Sequence, residues 1–284
     1  MKATSHHCPV CGRDESFRYM YEVKRFVIGK CARCGLGATE LPPDFDPKSI
    51  YTEDYFEGGH DDGYADYAKS EITLRHEFRD AVAALRPFAT PSGKLLEVGC
   101  AYGFFLKEAK DHFDVCGIEV SEHASNIARS SGLDVTTGML SPEFLTQKGP
   151  FDAAVMLDVI EHLGEPDRVI EMLRDGLKPG GALLLTTGDW SAALSRVMGA
   201  KWRLMTPPQH LFFFDPKTLE GLLGRLGFRV QSVTHPWKRV PLSLILYQLS
   251  RYAPLSLLRK RLPELRGGLP LNLFDAVRVV ATRV

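Results

Sequence analysis

The chain has 284 residues, with 35 Lys and Arg against 35 Asp and Glu, and 44% of its residues are hydrophobic. That length can bury a full α/β core with one small appendage, and zero net charge argues against a broad nucleic-acid footprint, so nucleic acid is not expected as a partner. With no signal-type apolar run at the start and no uninterrupted apolar stretch of membrane-spanning length, a cytoplasmic protein is expected.

Residues 1–40 carry two cysteine knuckles, Cys8-Pro9-Val10-Cys11-Gly12 and Cys31-Ala32-Arg33-Cys34-Gly35, separated by nineteen residues. Each places two sulfurs close together, and four thiolates suit tetrahedral Zn²⁺ in a closed structural site. Cys8, Cys11, Cys31 and Cys34 are the expected ligands, with His6 and His7 as less simple substitutes. Paired cysteines of this kind suit a reducing compartment and a metal better than disulfides. Residues 41–62, rich in Pro, Asp and Gly, read as a linker, and 63–284 as the main domain.

A helix is predicted from Tyr64 to Leu85, with an apolar stripe through Ile72, Phe78, Val82 and Leu85. Strands are predicted at 94–98, 114–118, 133–136, 152–157, 182–187 and 228–234, with the last at 273–282. Helices are predicted near 103–111, 121–131, 166–176 and 216–226. Such alternation implies a mostly parallel, doubly wound α/β sheet with helices on both faces. Lys178-Pro179-Gly180-Gly181 reads as a sharp stop before the fifth strand. The segment 236–271 is an insert with seven Lys and Arg against Glu264 alone, around the apolar run Leu242–Leu249. It fits a helical lid, a dimer surface, or a peripheral contact with the inner face of an anionic membrane through 242–261. The oligomeric state is left open.

The segment Leu95-Leu96-Glu97-Val98-Gly99-Cys100-Ala101-Tyr102-Gly103 reads as a buried strand, a tight glycine turn and a helix start. Such a turn lets a ligand approach the main chain. Twenty-two residues after Glu97, Glu119 ends the next strand, where an acid can take the two hydroxyls of an adenosine ribose. The later glycine of a dinucleotide turn is missing, and Tyr102, Phe104 and Phe105 crowd the helix start. A phosphate-free nucleoside therefore fits better than a pyrophosphate. Cys100 and Cys116 are expected to be inert core thiols.

Together with Gly117-Ile118-Glu119-Val120-Ser121, Phe151-Asp152-Ala153-Ala154-Val155, Leu157-Asp158-Val159-Ile160-Glu161-His162 and Leu177-Lys178-Pro179-Gly180-Gly181, these residues resemble class I S-adenosylmethionine-dependent methyltransferases over about 64–235 plus the final strand. The resemblance implies a seven-stranded Rossmann-like sheet whose last strand is antiparallel. It implies that Gly99, Ala101 and Gly103 shape the cofactor pocket, with Glu119 on the ribose and Glu97 near the amino group. Val120 and Leu140 would flank the adenine, and Cys100, Tyr102, Leu157 and Asp158 would line the same cleft. The zinc knuckles and the Gln209-His210-Leu211-Phe212-Phe213-Phe214 segment resemble a bacterial subfamily that modifies sugars and glycans.

That likeness implies O-methylation of a hydroxyl on a sugar, nucleotide-sugar or lipid-linked glycan. The alternatives are a carbon methyltransferase on a keto-sugar nucleotide and an rRNA base methyltransferase. A hydroxyl acceptor needs its proton removed, and histidine is the natural base near neutral pH. His210 and His162 are the candidates, while His123 and His235 read as surface residues. Asp158, Glu161 and His162 also resemble the metal-binding cluster of ubiquinone-pathway O-methyltransferases. On a helix they would converge on a divalent ion; otherwise Asp158 contacts cofactor or acceptor and Glu161 caps a turn.

Overall fold

The structure, a computed structural model, describes residues 4–42, 45, 67–240 and 269–284. The membrane-contact expectation for 242–261 and most of the linker at 41–62 lie outside the described residues. Among those described, no helix is long and apolar enough to cross a membrane.

The main sheet has seven strands: β5 (Lys94–Val98), β6 (Asp114–Glu119), β7 (Val135–Thr137), β8 (Phe151–Leu157), β9 (Leu177–Gly188), β11 (Phe228–Thr234) and β14 (Ala276–Arg283). Their spatial order is β11-β14-β9-β8-β5-β6-β7. The five strands from β9 to β7 run parallel, and β14 is antiparallel to both its neighbours. Helices α1 (Glu71–Leu85), α2 (Phe104–Ala109), α3 (Glu122–Ser130), α4 (Pro142–Lys148), α5 (Pro166–Gly176), α6 (Ala193–Met198) and α7 (Pro216–Arg225) accompany these strands. β8 reads Phe-Asp-Ala-Ala-Val-Met-Leu and is buried on both faces, as a central parallel strand requires. The chain winds outward from β5 to β6 and β7 on one side and through β8 and β9 on the other. The β5/β8 junction is therefore the topological switch point, whose carboxyl edge is where ligands bind in open α/β sheets.

A second, antiparallel sheet of order β1-β2-β3-β4-β10 is built from β1 (Thr4–Cys8), β2 (Arg13–Val23), β3 (Phe26–Cys31), β4 (Gly37–Glu40) and β10 (Phe212–Phe213). Its fifth strand comes from the main domain, with Phe212 opposite Ala38 and Phe213 opposite Gly37. The first knuckle is also tied down. Arg225 of α7 donates to the carbonyls of Pro9 and Val10 at 2.5 and 3.1 Å, and His7 meets Asp167 of α5 at 3.0 Å. Phe17, Leu36 and Ala38 pack in one core with Phe214, Leu219 and Leu222. The stability of these first forty residues is thus shared with the larger domain.

Four local expectations are corrected. The expected start of the first helix at Tyr64 lies outside the described residues, within which Ala68–Ser70 form a 3-10 turn, and Ile72 of its stripe is 60% exposed, because burial is confined to Ala81, Val82 and Leu85. The fifth strand starts at Leu177, not after Gly181, because Leu177 pairs with Phe151 and a register shift absorbs the glycine pair. The final strand begins at Ala276. His235 is not a free surface group, since its Nε2 lies 3.0 Å from Oδ2 of the buried Asp189.

Candidate functional site

The switch-point crevice is bounded on one side by the turn after β5. Gly99, Ala101 and Gly103 have φ of +73°, +46° and +74°. Glycine adopts this left-handed region freely, whereas an alanine there carries a cost of roughly 1–2 kcal/mol. The carboxylate of Glu119 offsets that cost: Oε2 accepts the Ala101 N–H and Oε1 the Ser121 N–H, both at 2.8 Å. The carboxylate therefore holds the turn open while keeping lone pairs for a ligand. A Cβ at Gly99 would come within 2.7 Å of Val159 Cγ2, so the turn needs glycine to pass the loop after β8.

Glu97 lies beneath this turn, 3% exposed, with Oε2 lacking any hydrogen-bond partner. Burial first, and the Glu119 charge second, push its carboxyl well above the usual range. An orphaned buried acceptor of this kind is what a ligand ammonium would satisfy. The other cofactor candidates divide. Leu140 is buried near the crevice rim, Leu157 closes β8, and Val120 is exposed. The Cys100 side chain turns into the sheet against Gly117. The Tyr102 ring packs edge-on against Tyr67 and Phe104, and its hydroxyl meets His123 Nε2 at 3.2 Å. Cys100 and Tyr102 are thereby left to face the crevice mainly through their backbone.

The opposite wall begins at Asp158, whose φ of +54° is unusual for a residue with a side chain. Its N–H donates to the carbonyl and hydroxyl oxygens of Thr186, both at 3.0 Å. Oδ1 accepts from the Thr186 hydroxyl at 2.9 Å, and Oδ2 from Lys238 Nζ at 3.2 Å. Lys238 belongs to β12 (Lys238–Val240), which pairs with β13 (Leu269–Leu271). The first residues of the basic insert thus reach this wall.

Asp158, Glu161 and His162 do not converge as a helical i, i+3, i+4 set. Residues Ile160–His162 form one 3-10 turn, and Asp158 is turned away toward Thr186 and Lys238. His210 takes its place: Glu161, His162 and His210 each offer one donor atom, all within 4.8 Å of one another. His162 Nδ1 faces the Gln209 carbonyl at 2.9 Å, and His210 Nδ1 faces the Leu204 carbonyl at 2.7 Å. A carbonyl only accepts, so both Nδ1 atoms carry the proton and both lone pairs sit on Nε2. The rings are nearly perpendicular, with centroids 4.7 Å apart. Burial pushes His162 down to about 4 and, with His162 beside it, His210 down to about 3. Both are neutral, lone-pair-bearing imidazoles at physiological pH. Glu161 is buried, its Oε2 lacks a partner, and burial with the Asp158 charge pushes it up to about 8. These three groups can share a proton or hold a divalent ion.

In the second sheet the four knuckle sulfurs also lie within 4.8 Å of one another. Cys8 and Cys34 are 3.5 Å apart and Cys11 and Cys31 are 4.0 Å apart. A tetrahedral zinc with Zn–S bonds of about 2.3 Å sets its sulfurs roughly 3.8 Å apart. His6 and His7 are engaged elsewhere, stacked on Phe17 and bonded to Asp167.

Thr39, through the His210 carbonyl, and Lys238, through Asp158, reach these walls only in the tertiary structure and carry no local sequence signal. For Glu161 the adjacent pair Glu161-His162 at a strand end was a usable signal.

Residues 70–233 match the family described as a methyltransferase domain. The ubiquinone biosynthesis O-methyltransferase of Xanthomonas axonopodis pv. citri is 30% identical over 166 residues, covering 52% of this chain and 70% of that protein. Its counterpart from Azoarcus sp. is 29% identical over 154 residues, covering 50% of this chain and 66% of that protein. Among solved structures, a magnesium protoporphyrin IX methyltransferase from Synechocystis PCC 6803 aligns with a TM-score of 0.53 at 16% identity, covering 84% of this chain and 100% of that one. An S-adenosylmethionine-dependent methyltransferase from Thermotoga maritima aligns at 0.52 and 22% identity, covering 77% and 95%. The structural likenesses speak for the fold.

The curated relatives overturn the sugar, nucleotide-sugar or lipid-linked glycan acceptor, and with it the keto-sugar and rRNA alternatives. The features read as marks of glycan chemistry have a structural account instead. The knuckles and the Phe212–Phe214 run join the second sheet to the main domain.

Proposed function

This chain belongs to the methyltransferase domain family, and from that premise we propose that it is an S-adenosylmethionine-dependent O-methyltransferase acting on a phenolic hydroxyl of a quinone-type ring. The names of the curated relatives support that acceptor class. The observation that carries the chemistry is the meeting of His162, His210 and Glu161 just beyond the end of β8, each with one ligand atom within 4.8 Å of the other two.

Bound S-adenosylmethionine supplies a methyl group already activated by its sulfonium charge. Glu97, with its unpartnered oxygen, would hold the cofactor's ammonium, and Glu119, already tied to two backbone N–H groups, would hold the ribose hydroxyls. The glycine turn brings the main chain close to the ligand. His210, or His162 beside it, accepts the hydroxyl proton as the oxygen attacks, with the Asp158 charge favouring the imidazolium that burial disfavours. The walls exclude water and align the acceptor for in-line displacement. Cys8, Cys11, Cys31 and Cys34 would hold a structural zinc ion in the sheet that abuts His210.

A second reading is carried by the unpartnered Glu161 Oε2. Glu161, His162 and His210 would hold a divalent cation, which would draw the acceptor oxygen to itself and acidify its hydroxyl. Turnover that rises with added Mg²⁺ or Mn²⁺ supports this reading, and turnover indifferent to both supports the histidine base.

The overall reading is tested by incubating the protein with S-adenosylmethionine and 4-nitrocatechol and analysing products by mass spectrometry. A monomethyl ether is the expected product. Saturable binding of S-adenosylhomocysteine with no ether formed from any catechol would refute the acceptor class.

A further inference from the structure

Residues 204–211 carry His210 but form no regular element before β10. The direction of the His210 ring therefore depends on individual tethers. Its Nδ1 is held by the Leu204 carbonyl, and its N–H reaches the Thr206 carbonyl at 3.1 Å. The remaining tethers come from across the molecule. The Thr39 hydroxyl donates to the His210 carbonyl at 2.6 Å, and the Thr39 N–H donates to the Leu211 carbonyl at 2.8 Å. Leu211 N–H in turn donates to the Glu161 carbonyl at 2.8 Å. One side chain, 8% exposed, thus fixes the outer face of the peptide whose inner side carries the imidazole. The same backbone ladder continues into Glu161.

We infer that Thr39 is a positioning residue of the transfer site, through which the cysteine-bearing sheet sets the direction of His210. This inference rests on the O-methyltransferase reading. Thr39 lies on β4, five residues after Cys34, and β4 continues into β10 through the pairs at Ala38 and Gly37. A Cβ at Gly37 would run into the Trp190 ring, so β4 is clamped between β3 and the segment after β9. Order at the knuckles is therefore transmitted along a short, packed strand. With that strand in place, the His210 carbonyl cannot rotate without leaving the buried Thr39 hydroxyl unsatisfied. The backbone that carries the imidazole is thereby held beside His162 and Glu161. The neighbouring cations leave this geometry alone. Arg203 is spent on a bidentate pair with Asp275, and Lys238 faces Asp158 and Glu77.

The test compares Thr39→Val, which keeps the shape and removes the donor, with Thr39→Ser, which keeps the donor. Turnover of 4-nitrocatechol is measured beside S-adenosylhomocysteine affinity and the visible spectrum of the protein loaded with Co²⁺ at its cysteines. The expected result for Thr39→Val is about a tenfold fall in kcat, the scale of one lost hydrogen bond. Its KM for S-adenosylmethionine, affinity for the product cofactor and cobalt spectrum stay unchanged. Thr39→Ser should restore kcat to within about twofold of wild type. Unchanged kcat in Thr39→Val overturns the inference. So does a parallel loss of cobalt spectrum or cofactor affinity, which would mark a folding role, or a Thr39→Ser variant as slow as the valine. Should the wild-type protein methylate no phenol, the acceptor reading fails by itself. The inference is then decided by a crystal structure of Thr39→Val with S-adenosylhomocysteine: a turned His210 ring upholds it and an unmoved ring refutes it.

Discussion

The two walls of the crevice are built in opposite ways. The wall proposed to hold the cofactor is contiguous: β5, the glycine turn, α2 and β6 supply Glu97, Gly99, Ala101 and Glu119 from one short stretch of chain. Its central contact, Glu119 to Ala101, spans eighteen positions. The acceptor wall gathers Thr39, Asp158, Glu161, His162, His210 and Lys238 from four distant segments, and Thr39 meets His210 across 171 positions. A contiguous wall carries its geometry in strand and turn chemistry, whereas a dispersed wall depends on packing and can diverge without disturbing cofactor binding. If that division is right, substitutions on one wall should leave the other intact.

The largest effect is expected at the acceptor wall. His210→Ala should lower turnover by roughly 10²–10⁴, the usual contribution of a general base, with S-adenosylhomocysteine affinity unchanged by calorimetry. Loss of cofactor affinity in parallel would break the separation of the walls. Next comes Cys31→Ser, which should remove zinc from the purified protein by elemental analysis and lower the melting midpoint by roughly 5–10 °C. Turnover should fall more than cofactor affinity, because the second sheet abuts His210 and not Glu119. On the cofactor wall, Glu119→Gln should weaken S-adenosylhomocysteine binding by about tenfold or more, while nitrocatechol binding persists.

The smallest effect concerns pH. Glu97 is raised in the folded chain, so its protonated form favours folding. That contribution is fully present below the ordinary carboxylate range and is lost as pH rises through the raised value. Glu97→Gln, which cannot ionise, should therefore melt higher than wild type at alkaline pH in the absence of cofactor, with the gap closing toward acid. S-adenosylhomocysteine should stabilise the variant less than the wild type. Parallel melting curves across the pH range would contradict the buried, ligand-seeking role of Glu97.

The fold was legible because its signals are local. Apolar runs at Leu95-Leu96 and Ala153–Met156, the closely spaced Gly99 and Gly103, and acids at strand tips declare a parallel sheet and its first crevice from sequence alone. The cysteine spacing likewise declared a four-sulfur cluster, and the structure brings those sulfurs together. What escaped was whatever depends on tertiary neighbours. Nothing around Thr39 announces that its hydroxyl will meet residue 210, and Lys238 reads as one more charge in a basic insert. The Asp158, Glu161, His162 spacing left open a helical cluster beside the favoured separate roles, and the strained backbone of Asp158 aims its carboxylate at Thr186 while His210 fills the space beside Glu161. The acceptor class was misjudged because the zinc knuckles and the phenylalanine run were read as chemistry when they serve architecture.

The central claim is that the two walls face each other across one reaction axis. A crystal structure of the complex with S-adenosylhomocysteine tests it most directly. The adenosine ribose is expected on Glu119, the amino group on Glu97, and the sulfur directed across the crevice toward the imidazoles of His162 and His210. A sulfur pointing away from those imidazoles, or a cofactor seated elsewhere on the sheet, would contradict it.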